Sequence, residues 1–406
     1  MRIMDKIQLG VIFGSRSCER EVSIISALQL MGHVNQAVYD IIPVYISETG
    51  VWYTGEKLRD IQTFRHFNPD QPGIERVMMD VTSGSGALLA TRPGKGWMHR
   101  PEQVVAARLD VCLIVMHGLN GEDGTLQGLL EMANLPYTSS GVAGSAIGMD
   151  KIIMKQFFRG ADLPVLPGTY YTRSTWRADR RNVLNDVEAH LHYPVFVKPA
   201  NLGSSIGVSR ADDRSGLQDA LDLAFEYDRR VLVEQGLISP LELNCSVLGY
   251  DEDIHASPIE MPLVGSGQDM LDFFGKYLSS GSSKGMAGLS RILPAPIEDS
   301  LRDEIQEMSR RIFHMMDCKG VVRIDYMYDR TENRFYITEI NTIPGSMAFY
   351  LWEKDGIRFS ELIDRLVGYA RKAWEDRNER VYAFSSDILS QAGFGAKGSK
   401  GSKLQR

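Results

Sequence analysis

"VVRIDYMYDRTENRFYITEINTIPG", residues 321–345, sets two apolar runs on either side of a polar turn, and its reading decides the fold. Side chains alternate across a strand with period two, so Arg323 and Asp325 share one face of the first run, and Val322, Ile324 and Tyr326 share the other. On the second run Phe335, Ile337, Glu339 and Asn341 share a face, with the acid and the amide at its far end. "DRTEN" reads as the turn of an antiparallel hairpin, which brings the neighbourhood of Asp325 opposite that of Glu339. Carboxylates facing each other across a strand pair repel unless a cation lies between them. Two carboxylates and an amide oxygen suit magnesium, which completes its shell with water and phosphate oxygens. A solvated, charged strand face is the competing reading. Beyond Pro344-Gly345 comes the aromatic stretch "SMAFYLWE" (346–353).

Working outward, "YPVFVKP" (193–199) is an apolar strand except for Lys198, whose ammonium then projects at the strand's carboxyl end, where phosphate is its natural partner. The "NLGSSIG" loop (201–207) supplies glycines and hydroxyls that let backbone N–H groups approach phosphate, although plain turn chemistry reads as well. No GxxxxGK[ST] stands in a strand-to-helix context, so this is not a P-loop. "HGLNGEDGTLQG" (117–128) follows the strand "VCLIVMHG" (111–118) and places His117 among Gly118, Gly121 and Gly124; a hydrogen-bonded turn histidine is the bland alternative. At the start, "IQLGVIFG" reads as a strand, but Gly10 and Gly14 do not make GxGxxG, which removes the dinucleotide fingerprint. Glu19 and Glu21 open the next helix, where acids suit the helix dipole.

The strands near residues 7–13, 39–46 and 111–118 alternate with helices, which favours a parallel α/β sheet. Residues 54–105 show no clear period and read as an irregular insertion. Residues 142–163 read as one helix, 299–317 as another with Gly320 as its C-terminal cap, and about 359–376 as a last amphipathic helix. The tail, 381–406, ends in Gly, Ser and Lys without apolar period and reads as disordered.

At 406 residues the chain suits two or three domains. A net charge of −7, spread out rather than clustered, weighs against nucleic acid as a partner. No apolar run is long enough to span a bilayer and no signal peptide is recognisable, so a cytoplasmic protein without a membrane partner is expected. The four cysteines have no CxxC spacing, which points to reduced thiols rather than a zinc site or a disulfide framework.

Taken together, "FGSRSCEREVS" (13–23), "HGLNGEDGTLQG", "GMDK" (148–151), "FVKPANLGSSIGV" (196–208), "VLVEQ" (231–235), "KY" (276–277), "RID" (323–325) and "EINTIPG" (339–345) resemble, in order, the D-alanine–D-alanine ligase family of ATP-grasp enzymes. The resemblance covers about residues 1–370. It implies an α/β ATP-grasp fold in three domains: a parallel α/β N-terminal domain (1–139), a central subdomain (140–235) and a catalytic subdomain (236–380) with a lid at about 272–294, the nucleotide lying between two antiparallel-containing sheets. It implies ATP and two Mg²⁺ ions, with Mn²⁺ as an alternative, D-amino acids as substrates, and a homodimer.

Carried over by position, the resemblance gives Lys151, Lys198, Ser205 and Lys276 to the nucleotide phosphates, Glu234, Gln235 and Leu237 to adenine, and Glu242 to ribose. Asp325, Glu339 and Asn341 become metal ligands. Glu19 becomes the partner of the first substrate's ammonium, with His117 near it, while Glu19, Ser204 and Tyr277 close the lid. Arg323 and the N–H of Gly345 stabilise the oxyanion. The chain departs from the pattern at Tyr350, which stands where a serine holds the second substrate's carboxylate; Ser346 or the Tyr350 hydroxyl are replacements. The lid is longer than usual, but Tyr277 is retained, which favours an amine over a hydroxy acid as second nucleophile. The implied activity is ATP-dependent joining of two D-alanines for peptidoglycan precursors. The alternatives are a related ligase with another second substrate, such as D-serine, and a nucleotide-binding regulator without catalysis.

Overall fold

A computed structural model describes residues 6–94, 100–263 and 291–382. Lys276, Tyr277, most of the lid at 272–294 and the tail beyond 382 lie outside the described residues. Four sheets are formed among the described residues. The first has seven strands, β1 (Ile7–Gly14), β2 (Tyr39–Ile46), β3 (Trp52–Thr54), β4 (Glu75–Met79), β5 (Ala87–Arg92), β6 (Glu102–Arg108) and β7 (Val111–Ile114), in the order β6-β5-β4-β3-β2-β1-β7. β1 runs parallel to both β2 and β7, as the alternation of strands and helices requires.

The stretch 54–105 is not irregular. β4, β5 and β6 extend the sheet antiparallel from β3. β5 buries Ala87, Leu88 and Ala90, but β4 and β6 on either side are mostly exposed or half-buried, and in β6, "EQVVAAR", no side chain is fully buried, so polar residues interrupt the alternation that marks a strand.

The second sheet contains β8 (Gly168–Thr172), β9 (Val195–Pro199), β10 (Ser209–Ala211) and β11 (Arg230–Gln235), in the order β10-β9-β11-β8. The third contains β12 (Leu241–Tyr250), β13 (Asp253–Ala256), β16 (Gly320–Asp329) and β17 (Arg334–Asn341), in the order β13-β12-β16-β17. The last is the short pair β14 (Met261–Pro262) and β15 (Arg291–Ile292). Three main apolar clusters underlie these sheets. The largest joins β1, β2 and β7 to residues 343–370, so the segment after the hairpin packs into the N-terminal core.

Two helix readings need correction. Residues 142–163 form two helices, Val142–Met149 and Lys151–Gly160. Asp150 leaves helical geometry, and its Oδ1 accepts hydrogen bonds from the N–H groups of Ile152 and Ile153 at 3.1 Å. A capping acid inside an apolar period restarts the helix. That break points Lys151, the first helical residue, at the 200–202 loop, where its N–H donates to the Ala200 carbonyl. The helix Asp299–Met315 stops at Met316, and the chain turns through left-handed Asp317; Gly320 instead opens β16.

Candidate active site

Arg323 stands opposite Asn341 and Asp325 opposite Glu339, but Phe335 and Ile337 do not share the face of Glu339 and Asn341: they pair with Tyr328 and Tyr326 and lie in the apolar cluster on the other side of the sheet. The register slips after Asp325, where Thr338 is the extra residue and its hydroxyl donates to the Asp325 carbonyl at 2.8 Å. A bulge of this kind re-aims side chains beside a site. Arg323 grips Asp325 with a fork, Nε to Oδ1 and Nη2 to Oδ2 both at 2.7 Å, and Asn341 Nδ2 donates to Asp325 Oδ2 at 3.0 Å. Burial, opposed by Arg323 but reinforced by Glu339, pushes the Asp325 carboxyl up to about 6. Burial also works against ionised Glu339, but Lys151, Lys198 and Arg323 together hold its carboxyl below the ordinary range. The hairpin face is therefore a concentrated, partly buried charge array and not a solvated edge.

Across from it lies a triad. Glu234, at the end of β11, is almost fully buried and sits between Lys155, its ion-pair partner, and Lys198, whose Nζ donates to Oε2 at 2.8 Å. Although burial pushes the Glu234 carboxyl up, the two ammoniums hold it below its ordinary value. Lys155 also donates to the Ile337 carbonyl at 3.2 Å, which ties this triad to β17. Lys151 Nζ donates to the Leu202 carbonyl at 2.6 Å and stands 3.6 Å from Glu339 Oε2. Glu242, on β12, senses both Glu339 and Lys198; burial and Glu339 raise its carboxyl and Lys198 lowers it. Gln235 turns its side chain to the loop before β9, with Nε2 2.7 Å from the His192 carbonyl, and Leu237 is half-buried just beyond it. Ser204 and Ser205 both have left-handed backbones, and Ser205 is exposed.

The third wall comes from the N-terminal unit. Glu19 precedes the helix Arg20–Met31 without capping it. Its Oε1 instead accepts the Ser204 hydroxyl, 185 residues away. Gly118 and Gly203 are required beside it: a Cβ at Gly118 would lie 2.5 Å from Glu19 Oε2 and one at Gly203 2.7 Å from Oε1. Oε2 is buried with no hydrogen-bond partner among the described residues. A buried acceptor left unpaired is costly, and a ligand ammonium would satisfy it. His117 Nε2 lies 3.3 Å from the Ser26 hydroxyl, and burial drops its pKa to about 4, so the ring is neutral at physiological pH. Ser26 Oγ also accepts the Ser346 N–H at 3.3 Å, and Ser346 Oγ donates to Gln29 Oε1 at 2.8 Å. Ser346, Met347 and Ala348 are all left-handed, a strained run locked onto the helix Arg20–Met31 by these bonds. Gly345 opens that turn. Tyr350 is buried, and its hydroxyl donates to Glu260 Oε2 at 2.8 Å.

Sequence reading missed Lys155, Glu122 and Glu260. Lys155 lies four residues after Lys151 on one helix face, a signal that was present. Glu122 gave no such signal, because its partners are distant backbone groups: Oε2 accepts the Gly118 N–H at 2.8 Å and Oε1 the Ile343 N–H at 3.0 Å. Glu122 thereby ties the loop after β7 to the loop leading to Gly345. Burial first, then the charge of Glu19, raises its carboxyl from 4.5 to about 8. The folded chain thus binds an extra proton between these values, and this contribution to stability falls as pH rises through the window and levels off above it. Urea unfolding from pH 5 to 8 should show wild type losing stability relative to Glu122→Gln, by at most about 1.4 kcal/mol per pH unit.

The site thus combines three lysines around Glu234 and Glu339, a paired carboxylate–amide face and a buried carboxylate oxygen without a hydrogen-bond partner among the described residues. Comparison with known proteins agrees with that chemistry. Residues 8–140 match the family described as D-ala D-ala ligase N-terminus, and residues 157–368 match D-ala D-ala ligase C-terminus. The D-alanine–D-alanine ligase of Thermosipho africanus is 36% identical over 383 residues, covering 94% of this chain and 98% of that protein. That of Heliobacterium modesticaldum is 39% identical, covering 92% and 98%. Among solved structures, the Coxiella burnetii D-alanine–D-alanine ligase superposes with a TM-score of 0.74 at 26% identity, covering 93% of this chain and 97% of that one. The VanG D-Ala:D-Ser ligase of Enterococcus faecalis gives 0.72 at 29%, covering 90% and 100%. With both halves matched and relatives aligned end to end, the chain belongs to the D-alanine–D-alanine ligase family.

Proposed function

We propose that this ATP-dependent ligase joins two D-alanines, releasing ADP and phosphate, in the supply of peptidoglycan precursors. The single observation that carries the reading is Glu19 Oε2, a buried carboxylate oxygen without a hydrogen-bond partner among the described residues, beside two glycines whose Cβ atoms would clash with the carboxylate. It fits the ammonium of a bound amino acid.

From there the chain's own groups assign the steps. Glu19 binds the first amino acid's ammonium and so aims its carboxylate at the γ-phosphate held by Lys151 and Lys198. Attack gives an acyl phosphate and ADP. The second amino acid's amine then attacks the acyl carbon, Arg323 and the Gly345 N–H meet the oxyanion, and phosphate leaves with the C–O electron pair. The Glu19–Ser204 bond joins the N-terminal wall to the 201–207 loop, which helps to exclude water from the acyl phosphate. In this reading Ser205 and Lys276 contact phosphates, Glu234, Gln235 and Leu237 border the adenine, Glu242 the ribose, and Tyr277 completes closure.

Asp325, Glu339 and Asn341 fit a divalent cation, magnesium or manganese, and the reading assigns two ions there. Among the described residues no group of three carboxylate, histidine or cysteine ligands exists, so the donor set needs phosphate and water oxygens to be complete. The burial-raised Asp325 beside Glu339 is the charge imbalance that a cation relieves. Bound there, the cation neutralises charge that develops on phosphate. The reading also includes the three domains at 1–139, 140–235 and 236–380, a homodimer and a cytoplasmic location, where ATP is supplied; no described helix is long and apolar enough to cross a membrane.

The buried Tyr350 favours one second reading, the same chemistry with a different second amino acid. The test is ADP release and product identification with a panel of D- and L-amino acids. D-alanine alone is expected to give D-alanyl-D-alanine. Turnover only when another amino acid is added supports the second reading, and ATP binding without turnover on any member overturns both.

A further inference from the structure

A closed ring of bonds holds the start of the helix Lys151–Gly160 against the second sheet. Asp150 spends both carboxylate oxygens: Oδ1 on the N–H groups of Ile152 and Ile153, and Oδ2 on the guanidinium of Arg230, the first residue of β11. Both side chains are largely buried, with exposures of 6% and 18%. Arg230 returns the link through its backbone. Its carbonyl accepts the Ala200 N–H at 3.1 Å, and the Ala200 carbonyl accepts the Lys151 N–H at 2.9 Å. The next residue of the loop is fixed from the same turn, since Asp228 Oδ2 accepts the backbone and side-chain N–H groups of Asn201 at 2.9 and 3.0 Å. The ring therefore sets both the backbone that carries Lys151 and the 200–202 loop that faces it.

We propose that Asp150 and Arg230 are positioning residues for Lys151, holding its ammonium where nucleotide phosphate oxygens meet it; this rests on the ligase reading above, which gives Lys151 to those phosphates. The state of the ammonium leads there. The Lys151 side chain is 11% exposed, its Nζ donates to the Leu202 carbonyl, and Glu339 Oε2 stands 3.6 Å away, beyond hydrogen-bond reach. An ammonium has three N–H donors, so two of them have no acceptor among the described residues. Oxygens of an anionic ligand would supply them. Lysine reaches a ligand on a flexible four-carbon stem, so its charge is placed only as well as its backbone is. The Asp150 cap fixes that backbone, and Arg230 fixes the cap. Arg230 also neutralises Asp150, which would otherwise be a buried, unpaired carboxylate one residue from the lysine and would repel an anion.

The test compares nucleotides with and without the outer phosphates, on the full chain with magnesium. Calorimetric titration uses AMP-PNP, the imido analogue of ATP, and AMP. Lys151→Met should weaken AMP-PNP by roughly 10–100-fold, the loss of charge-assisted hydrogen bonds, and leave AMP unchanged. Arg230→Gln should weaken AMP-PNP by about 3–10-fold, again without change in AMP, and Arg230→Lys should recover part of the loss. In the Lys151→Met background Arg230→Gln should add nothing, because it acts through Lys151. If Arg230→Gln is misfolded by circular dichroism, Asp150→Asn, which keeps a capping side chain and drops the charge, carries the test with the same expectation. A folded variant with unchanged AMP-PNP binding overturns the proposal. So does one that weakens both nucleotides alike, or weakens AMP-PNP equally with and without Lys151. If Lys151→Met itself leaves AMP-PNP binding unchanged, the phosphate assignment of Lys151 fails and the proposal with it. If wild type binds AMP-PNP but releases no ADP with any amino acid, the ligase reading fails, while the nucleotide ratios still decide the role of Asp150 and Arg230.

Discussion

Replacing Arg323 with alanine is expected to lower kcat by about 10²–10³-fold, the cost of removing one preorganised oxyanion donor, the role proposed for it, while ATP binding changes little. The guanidinium is held rigidly by two 2.7 Å bonds to Asp325, so no reorganisation is needed when negative charge appears on the carbonyl oxygen. Its removal also leaves Asp325 and Glu339 paired across the hairpin without the fork that offsets their repulsion. Arg323→Lys keeps the charge but not the planar fork, and is expected to recover only part of the rate. Steady-state rates alongside nucleotide titration separate the two effects. If Arg323→Ala lost ATP binding and kept its rate at saturation, Arg323 would be a nucleotide ligand and not an oxyanion donor.

The second large effect is on the triad. Glu234→Gln leaves Lys155 and Lys198 buried against an uncharged amide, and breaking a buried ion pair in this way costs about 3–5 kcal/mol. The reason is desolvation: Glu234 and Lys155 have side-chain exposures of only 2% and 4%. Replacing all three together, Lys155→Met, Lys198→Met and Glu234→Leu, removes every charge of the triad and is expected to return most of the stability. Activity should not return, because Lys198 is assigned to phosphate. Denaturant unfolding and ADP release on the same two proteins decide it. A stable, active Glu234→Gln protein would show that the triad neither supports the cleft nor orders Lys198.

Much of this architecture was legible in the residues. The pairing of Asp325 with Glu339 was legible from the alternation beside the acid and the amide, but the bulge at Thr338 was not, and it turns Phe335 and Ile337 to the face opposite Glu339 and Asn341. β2 was read to the residue, since both its ends are marked by polar turns. β4 and β6 were not legible, because strands with half-exposed faces lose the alternation that identifies them, and β5 between them buries consecutive residues and so shows no alternation either. The break at Asp150 was hidden because helical apolar spacing continues through it, and only the carboxylate's competition for the next N–H groups ends the helix there. Within the site, residues near motifs could be named from sequence. Glu122, Glu260 and Arg230 could not, because their roles come from partners at Ile343, Tyr350 and Asp150 that are brought close only by the fold. Glu19 stands at a helix start as read, but its carboxylate makes no cap bond and accepts the Ser204 hydroxyl, the pairing that the resemblance implied.

The central claim is that the first amino acid's own carboxylate attacks ATP, and isotope transfer tests it most directly. D-alanine with oxygen-18 in its carboxylate, as the sole amino acid with ATP, should yield D-alanyl-D-alanine, ADP and phosphate carrying one labelled oxygen per turnover. Dipeptide formed with unlabelled phosphate, or ADP released without dipeptide, would contradict the account.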